Sequence, residues 1–144
     1  MEENLKKSTT ELLNELQHTE EFVKFYQKNE QEFWQHTLAE DLSALLSTKG
    51  LKKAAVIKAA EMSDVYAYQI FSGLRRPDRN KLLMLLIAME LNFEEIQTIL
   101  KQHGYGQLYA KNEFDCVVIY GICQKYNVLA INEKLYEFGL PILE

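Results

Sequence analysis

The fold is decided by residues 51–77, LKKAAVIKAAEMSDVYAYQIFSGLRRP. The pattern predicts two short helices, 52–60 and 64–72, with Ser63 as a good N-cap for the second one. Gly73 then closes that helix, and a basic loop follows it. Two helices joined by such a turn allow a protein to lay the second one in the major groove of DNA.

This stretch also carries most of the positive charge of an acidic chain. Between Lys49 and Lys81, eight Lys and Arg residues against three acidic ones give +5, and because the whole chain is −5, the remainder sums to −10. Phosphate contacts depend on local charge, so the patch is sufficient for a specific interface, although Lys-rich helices are more often only solvated surfaces.

Length and composition predict one helical, cytoplasmic, domain-sized protein. The chain has 144 residues, of which 47% are hydrophobic, and contains no apolar run long enough to span a membrane. The first residues are polar and amphipathic, unlike a signal peptide. Cys116 and Cys123 lie seven residues apart on one predicted helix, which favours buried free thiols over a disulfide.

The N-terminal extension, residues 1–36, contains two candidate helices. Ser8 and Glu11 fit a capping box for a helix over 9–17, and Thr19 is a candidate cap for the next helix. Helices this short need a packing partner. An aromatic group is the expected packing surface, with a partner-binding stripe as the alternative: Phe22, Tyr26, Phe33 and Trp34.

The core is predicted over residues 37–104. A leucine-rich helix begins near Thr37 and ends at Gly50, and after the two short helices an apolar helix opens at Pro77-Asp78. Asn92 caps a further helix that ends near Gly104.

The C-terminal part, residues 105–144, contains an internal repeat of the end of the core. Residues 91–105 and 126–140 align without gaps at an offset of 35, and the apolar helix 81–91 falls on 116–126. Either a duplicated helical pair or chance similarity explains the match. A duplicated pair would extend the hydrophobic core, as stacked helical repeats do.

Residues 38–103 resemble the lambda-repressor-like (XRE) helix-turn-helix domain, which has five helices. The matching positions are Leu51 at the start of the second helix, Met62-Ser63 in the turn, Ile70 and Gly73 at the end of the third helix, and the loop Arg75 to Pro77. The whole chain is similar to Firmicutes regulators of this type that have extra helices at both ends. The runs Tyr68–Gly73 and Gly104 to Tyr109 carry that similarity. The expected fold is therefore an all-α, five-helix core with flanking N-terminal helices and a C-terminal helical pair.

The resemblance implies a double-stranded DNA partner and assigns roles to individual residues. Asp64, Val65 and Tyr66 occupy the first exposed turn of the recognition helix, and Gln69 stands where it could bond adenine. Two residues depart from the family pattern: Glu61 replaces the usual Gly of the turn, and Asp64 is acidic, either as a helix cap or as an acceptor for cytosine. Phosphate contacts are expected from the basic residues: Lys52, Lys53, Arg75, Arg76 and Arg79.

No pattern for catalysis is found in the sequence. The chain has no glycine-rich phosphate loop, and His18, His36 and His103 lack metal-ligand spacing. Neither an enzyme nor a cofactor is expected.

Two functional hypotheses follow. The first is a DNA-binding regulator of transcription, which is expected to act as a homodimer because a single unit covers a short site and seldom binds tightly alone. The second is a non-enzymatic adaptor or signalling protein that uses the same scaffold to bind a protein partner. Exposed tyrosines of the C-terminal pair are candidates for the dimer surface: Tyr105, Tyr109, Tyr120 and Tyr136.

Overall fold

The computed structural model describes residues 7–33 and 36–144, and in these residues it contains nine α-helices and no strand. The predicted all-α fold is confirmed. The chain divides into two compact units, residues 1–35 and 36–144. The first contains α1 (Thr9–Gln17), α2 (Phe22–Lys28) and a 3-10 turn (Glu30–Glu32). The second contains α3 (Leu38–Thr48), α4 (Lys53–Ala59), α5 (Asp64–Phe71), α6 (Arg79–Ala88), α7 (Phe93–Gln102), α8 (Glu113–Cys123) and α9 (Val128–Glu137).

Helix α1 of the first unit starts where predicted, but α2 does not. The Ser8 hydroxyl accepts a hydrogen bond from the Glu11 N–H at 3.1 Å, which is one half of the predicted capping box. Thr19 was predicted to cap α2, and this is wrong. Its hydroxyl donates to the Glu15 carbonyl at 2.7 Å and so closes α1, while Glu21 occupies the N-cap position of α2 without a side-chain cap.

The first unit has a polar centre and an aromatic cluster. The Glu15 carboxylate is hydrogen-bonded by Lys7, by the buried Asn29 and by Lys28, and these bonds lower its pKa to about 2. Phe22, Phe25, Tyr26 and Phe33 form the aromatic cluster, in which the Tyr26 and Phe33 rings lie 5.2 Å apart. Trp34, which was expected to join this packing surface, lies outside the described residues.

A turn of one form recurs four times in the second unit. Each copy has four residues: a C-cap, a residue with positive φ, an apolar residue and the N-cap of the next helix. The turns join α3 to α4, α4 to α5, α6 to α7 and α8 to α9. Two of the connected pairs, α4 with α5 and α8 with α9, pack closely on each other. The residues with positive φ, between 58° and 64°, are Gly50, Glu61, Glu90 and Lys125.

Helix α6 is the centre of the core. All six residues from Leu82 to Ile87 are buried, because α4 packs on one side of the helix and α9 on another. Helix α3 packs on α5, and α8 packs on both α7 and α9. Gly121 allows close packing of the last pair, since a Cβ at this position would overlap the Ile131 side chain. A helix that is apolar all round is stable only when it is covered in this way.

The predicted repeat is also a repeat of structure. An offset of 35 places α7 on α9 residue for residue, and the N-caps Asn92 and Asn127 both accept a hydrogen bond from the N–H three residues further on.

A feature that was not predicted extends the repeat beyond the helices. The Gln97 amide pairs with both the N–H and the carbonyl of the buried Leu108, and at the same offset Asn132 pairs with Leu143. The same pair of side-chain-to-backbone hydrogen bonds, here called a backbone clamp, therefore occurs in both copies of the repeat. This favours duplication over chance similarity.

Leu74 follows the end of α5 and is 83% exposed. One prediction of burial is wrong. Cys116 and Cys123 were expected to be buried, and both are exposed free thiols. The reason is the rotation of α8, which turns Asp115, Val118 and Ile122 toward the core and the opposite face outward.

We predict that Glu61→Gly stabilises the second unit. Glu61 has φ 60°, a conformation that strains a residue with a Cβ, so glycine should raise the free energy of unfolding by about 0.5–1 kcal/mol. Urea unfolding followed by circular dichroism measures this change. The control is Ala44→Gly, at an exposed position inside α3, which should lower stability by a similar amount. Equal losses in the two variants would contradict the prediction.

Candidate nucleic-acid interface

The outward face of α5 is a stripe with helical spacing. Ala67, Ile70 and Phe71 turn inward and are buried, so Val65, Tyr68, Gln69 and Ser72 are left on the other side. Val65 is 71% exposed and Tyr68 is 46% exposed. Together with Asp64, Lys53 and Leu74 these residues line a shallow groove of about 530 Å³. A stripe of this kind can follow base edges in a groove of DNA.

Tyr66 lies beside this stripe rather than on it. Its ring is partly buried against the core, with the Arg75 guanidinium 5.3 Å and the Lys81 ammonium 5.8 Å from the ring centre. The prediction that Tyr66 is an outward residue of the first turn therefore needs correction. The exposed tyrosine on the stripe is Tyr68, two residues later, which lies on the same face as Val65 because residues three apart share a face.

The side chains of Arg75 and Gln69 are joined by a hydrogen bond. The Arg75 Nε donates to the Gln69 Oε1 at 2.9 Å. A bidentate bond to adenine needs both the oxygen and the nitrogen of the amide, and the Gln69 oxygen has a second lone pair for such a bond while it accepts from Arg75. In the observed arrangement Gln69 and the Tyr66 ring orient the guanidinium, and the two terminal nitrogens of Arg75 make no hydrogen bond within the described residues.

Arg76 is exposed, but contacts within the second unit also hold its guanidinium. Its Nη2 donates to the His103 carbonyl at 2.6 Å, and its guanidinium lies 4.3 Å from the centre of the Tyr105 ring. The Tyr105 hydroxyl donates in turn to the Pro77 carbonyl at 2.6 Å, and burial raises the pKa of this tyrosine above its usual range. These contacts fix the loop after α5 against the end of α7.

Arg79 is structural, which corrects its predicted role as a phosphate contact. Its guanidinium forms two 2.9 Å bonds to the buried Asp115 and also binds the Gly106 and Gln107 carbonyls. Four of the roughly five N–H donors of an arginine are therefore engaged. The Asp115 carboxylate also accepts from the Tyr109 N–H at 3.0 Å.

Lys53, at the start of α4, borders the stripe. Its ammonium lies 5.2 Å from the Phe71 ring centre and 5.9 Å from that of Tyr68, whereas Lys49 pairs with Glu95 at 3.1 Å. The cations that contact side chains of α5 are thus fewer than sequence counting indicated: Lys53, Arg75 and Lys81.

Two carboxylates lie close to this face. Ser63 caps α5 by accepting the Tyr66 N–H at 3.3 Å, so capping does not require Asp64, which is exposed in the first turn. Glu61 is exposed in the preceding turn. Both carboxylates repel phosphate, and they limit which part of the face can approach a nucleic acid backbone.

Among residues 7–33 and 36–144, no group of three His, Cys, Asp or Glu side chains could hold a metal ion. None of the helices in that part of the chain is long and apolar enough to cross a membrane. No protein-family model matches the chain, and comparison with curated proteins and with solved structures likewise gave no match.

Arg79 and Arg75 should differ sharply in their contribution to stability. Arg79→Met leaves the buried Asp115 without its counter-charge, so we expect it to lower the free energy of unfolding by about 3 kcal/mol. Arg75→Met removes only exposed contacts and should change stability by less than about 0.5 kcal/mol. Urea titrations of the two matched variants measure the difference, and equal losses would refute the structural role of Arg79.

Proposed function

We propose that this chain is a sequence-specific DNA-binding regulator of transcription of the lambda-repressor-like type, acting in the bacterial cytoplasm. The observation that supports the proposal is the outward stripe of α5, which has cationic side chains beside it. Lys53 lines the groove along the stripe, and Arg75 donates a hydrogen bond to Gln69 on the stripe. In this proposal α5 is the recognition helix and enters the major groove.

The flanking cations would grip the DNA backbone. In this proposal the exposed Lys52 and Arg76 contact phosphates, and Arg75 is left for contact with a base. Each phosphate neutralised makes the slope of log affinity against log salt more negative by about 0.9. Binding should therefore weaken steeply as salt is raised.

The pair formed by Gln69 and Arg75 would supply part of the base preference. With its Nε held by Gln69, Arg75 keeps its two terminal nitrogens in the fork geometry that matches O6 and N7 of guanine. Val65 and Tyr68 are apolar neighbours that can contact a thymine methyl group. In this proposal the main role of Gln69 is to orient Arg75.

A second function has one specific observation in its favour. Val65, Tyr68 and Leu74 give the groove along α5 an apolar lining, and Leu74 is 83% exposed in a loop. Exposed apolar side chains beside two carboxylates are typical of a protein-binding surface. The alternative is therefore an adaptor in which α5 binds a protein partner that also carries apolar side chains.

Selection from a library of random DNA duplexes tests the proposal. We expect the full chain to enrich a short motif at low salt and to lose it as salt is raised. The variant Lys52→Ala/Arg75→Ala, which leaves the structural Arg76 and Arg79 in place, should lose the enrichment. The matched control Lys101→Ala/Lys111→Ala removes the same charge from exposed positions outside the interface and should keep it.

Each other outcome has a clear meaning. Failure of the wild-type chain to enrich any motif at low salt would overturn the DNA proposal in favour of the adaptor. Equal loss in both double variants would show that binding follows net charge and not the face of α5.

A further inference from the structure

One face of helix α8 is exposed, although its residues are of the types that usually form a buried face. Of its eleven residues, EFDCVVIYGIC, only Glu113 and Asp115 are charged, and Asp115 is buried against Arg79. The face turned away from the core carries Cys116, Tyr120 and Cys123, and Tyr120 is 50% exposed. Surface helices normally place charged residues on this side, and a helix that is apolar all round is normally covered.

The internal repeat gives a buried counterpart for the centre of this face. At the offset of 35, Tyr120 corresponds to Leu85 of α6, which is fully buried in the core, whereas Cys116 and Cys123 correspond to Lys81 and Ala88, which are partly exposed. Helix α6 packs on α4 and α9, and the main packing partners of α8 are α7 and α9. Tyr120 is therefore half exposed at a position where the first copy buries a leucine.

We propose that this face, Cys116–Tyr120–Cys123, binds the same face of a second copy of the chain, with the two α8 helices antiparallel. A two-fold contact requires a surface that is complementary to itself. The stripe meets this condition, because rotation about a point next to Tyr120 exchanges the positions of the two cysteines. Cys116 then lies level with the partner's Cys123, and Tyr120 packs against the partner's Tyr120.

The charges at the ends of the helix determine the direction. Glu113 is exposed in the first turn of α8, and Lys125 is exposed just after its end. In an antiparallel pair Glu113 lies near the partner's Lys125 at both ends of the contact. A parallel pair would put like charges side by side and align the two helix dipoles unfavourably.

The contact does not depend on the DNA proposal. The residues of the α8 face are distinct from those of the α5 stripe, and the tests below contain no nucleic acid. A failure of one proposal therefore leaves the other standing.

Disulfide trapping tests the antiparallel register. Along α8 the two cysteines are about 10 Å apart, whereas a disulfide needs Cα atoms within about 7 Å. Oxidation with diamide should thus crosslink the wild-type dimer through Cys116 and the partner's Cys123. Cys116→Ser and Cys123→Ser should each fail to crosslink alone. An equimolar mixture, exchanged in reductant before oxidation, should crosslink up to about half of the dimers, because half are mixed.

A control separates specific trapping from collision. The variant Lys101→Cys in the Cys116→Ser/Cys123→Ser background has one exposed thiol on α7 and should remain uncrosslinked. Crosslinking of a single-cysteine variant as complete as that of the wild type would overturn the antiparallel register.

Sedimentation of the reduced protein tests the contact itself. Tyr120→Glu should raise the dimer dissociation constant by about tenfold or more, with its helical circular dichroism and melting temperature retained. The matched variant Tyr136→Glu, at an 80% exposed position of α9, should leave the dimer intact. A monomeric wild-type chain, or dissociation by Tyr136→Glu but not by Tyr120→Glu, would refute the α8 contact.

Discussion

The bond between Arg79 and the buried Asp115 is the interaction on which the second unit depends. It joins the start of α6 to the start of α8, and the same guanidinium holds the Gly106 and Gln107 carbonyls. The loop between α7 and α8 is thereby fixed. This loop contains Tyr105, whose ring lies against Arg76 and whose hydroxyl donates to the Pro77 carbonyl. The basic loop after α5 is therefore positioned by the C-terminal half of the chain. The C-terminal helical pair therefore contributes to the shape of the candidate interface.

Local signals were sufficient to predict most of the helices. Ser63, Asp78 and Asn92 cap α5, α6 and α7 as expected, and glycines end helices at Gly50, Gly73 and Gly104. Caps and stops are short-range effects that neighbouring residues define. Thr19 was misassigned because its hydroxyl can either cap the next helix or bond back to the preceding turn. In the structure it donates to the Glu15 carbonyl and does not cap α2.

Tertiary effects explain what the sequence could not predict about the site. Helical spacing alone did not separate Tyr66 from Tyr68, because the rotation of α5 depends on how deeply Ile70 and Phe71 enter the core. The bond from Arg79 to Asp115 spans 36 residues and has no local pattern, so Arg79 was grouped with the phosphate-binding cations. The exposure of the α8 cysteines likewise depends on which face of that helix meets α9. The offset of 35 that aligns Gln97 with Asn132 was a signal that could have revealed both backbone clamps.

The central claim is that the outward face of α5 binds DNA, and an NMR titration tests it most directly. The chain labelled with ¹⁵N would be titrated with a short DNA duplex at low salt, and the amide shifts would be mapped onto the structure. The account predicts that the largest shifts fall in α5, in the first turn of α4 and in the loop over residues 73–76, and that they vanish when salt is raised. Shifts concentrated in α8 and α9, or no shifts with any duplex, would contradict it.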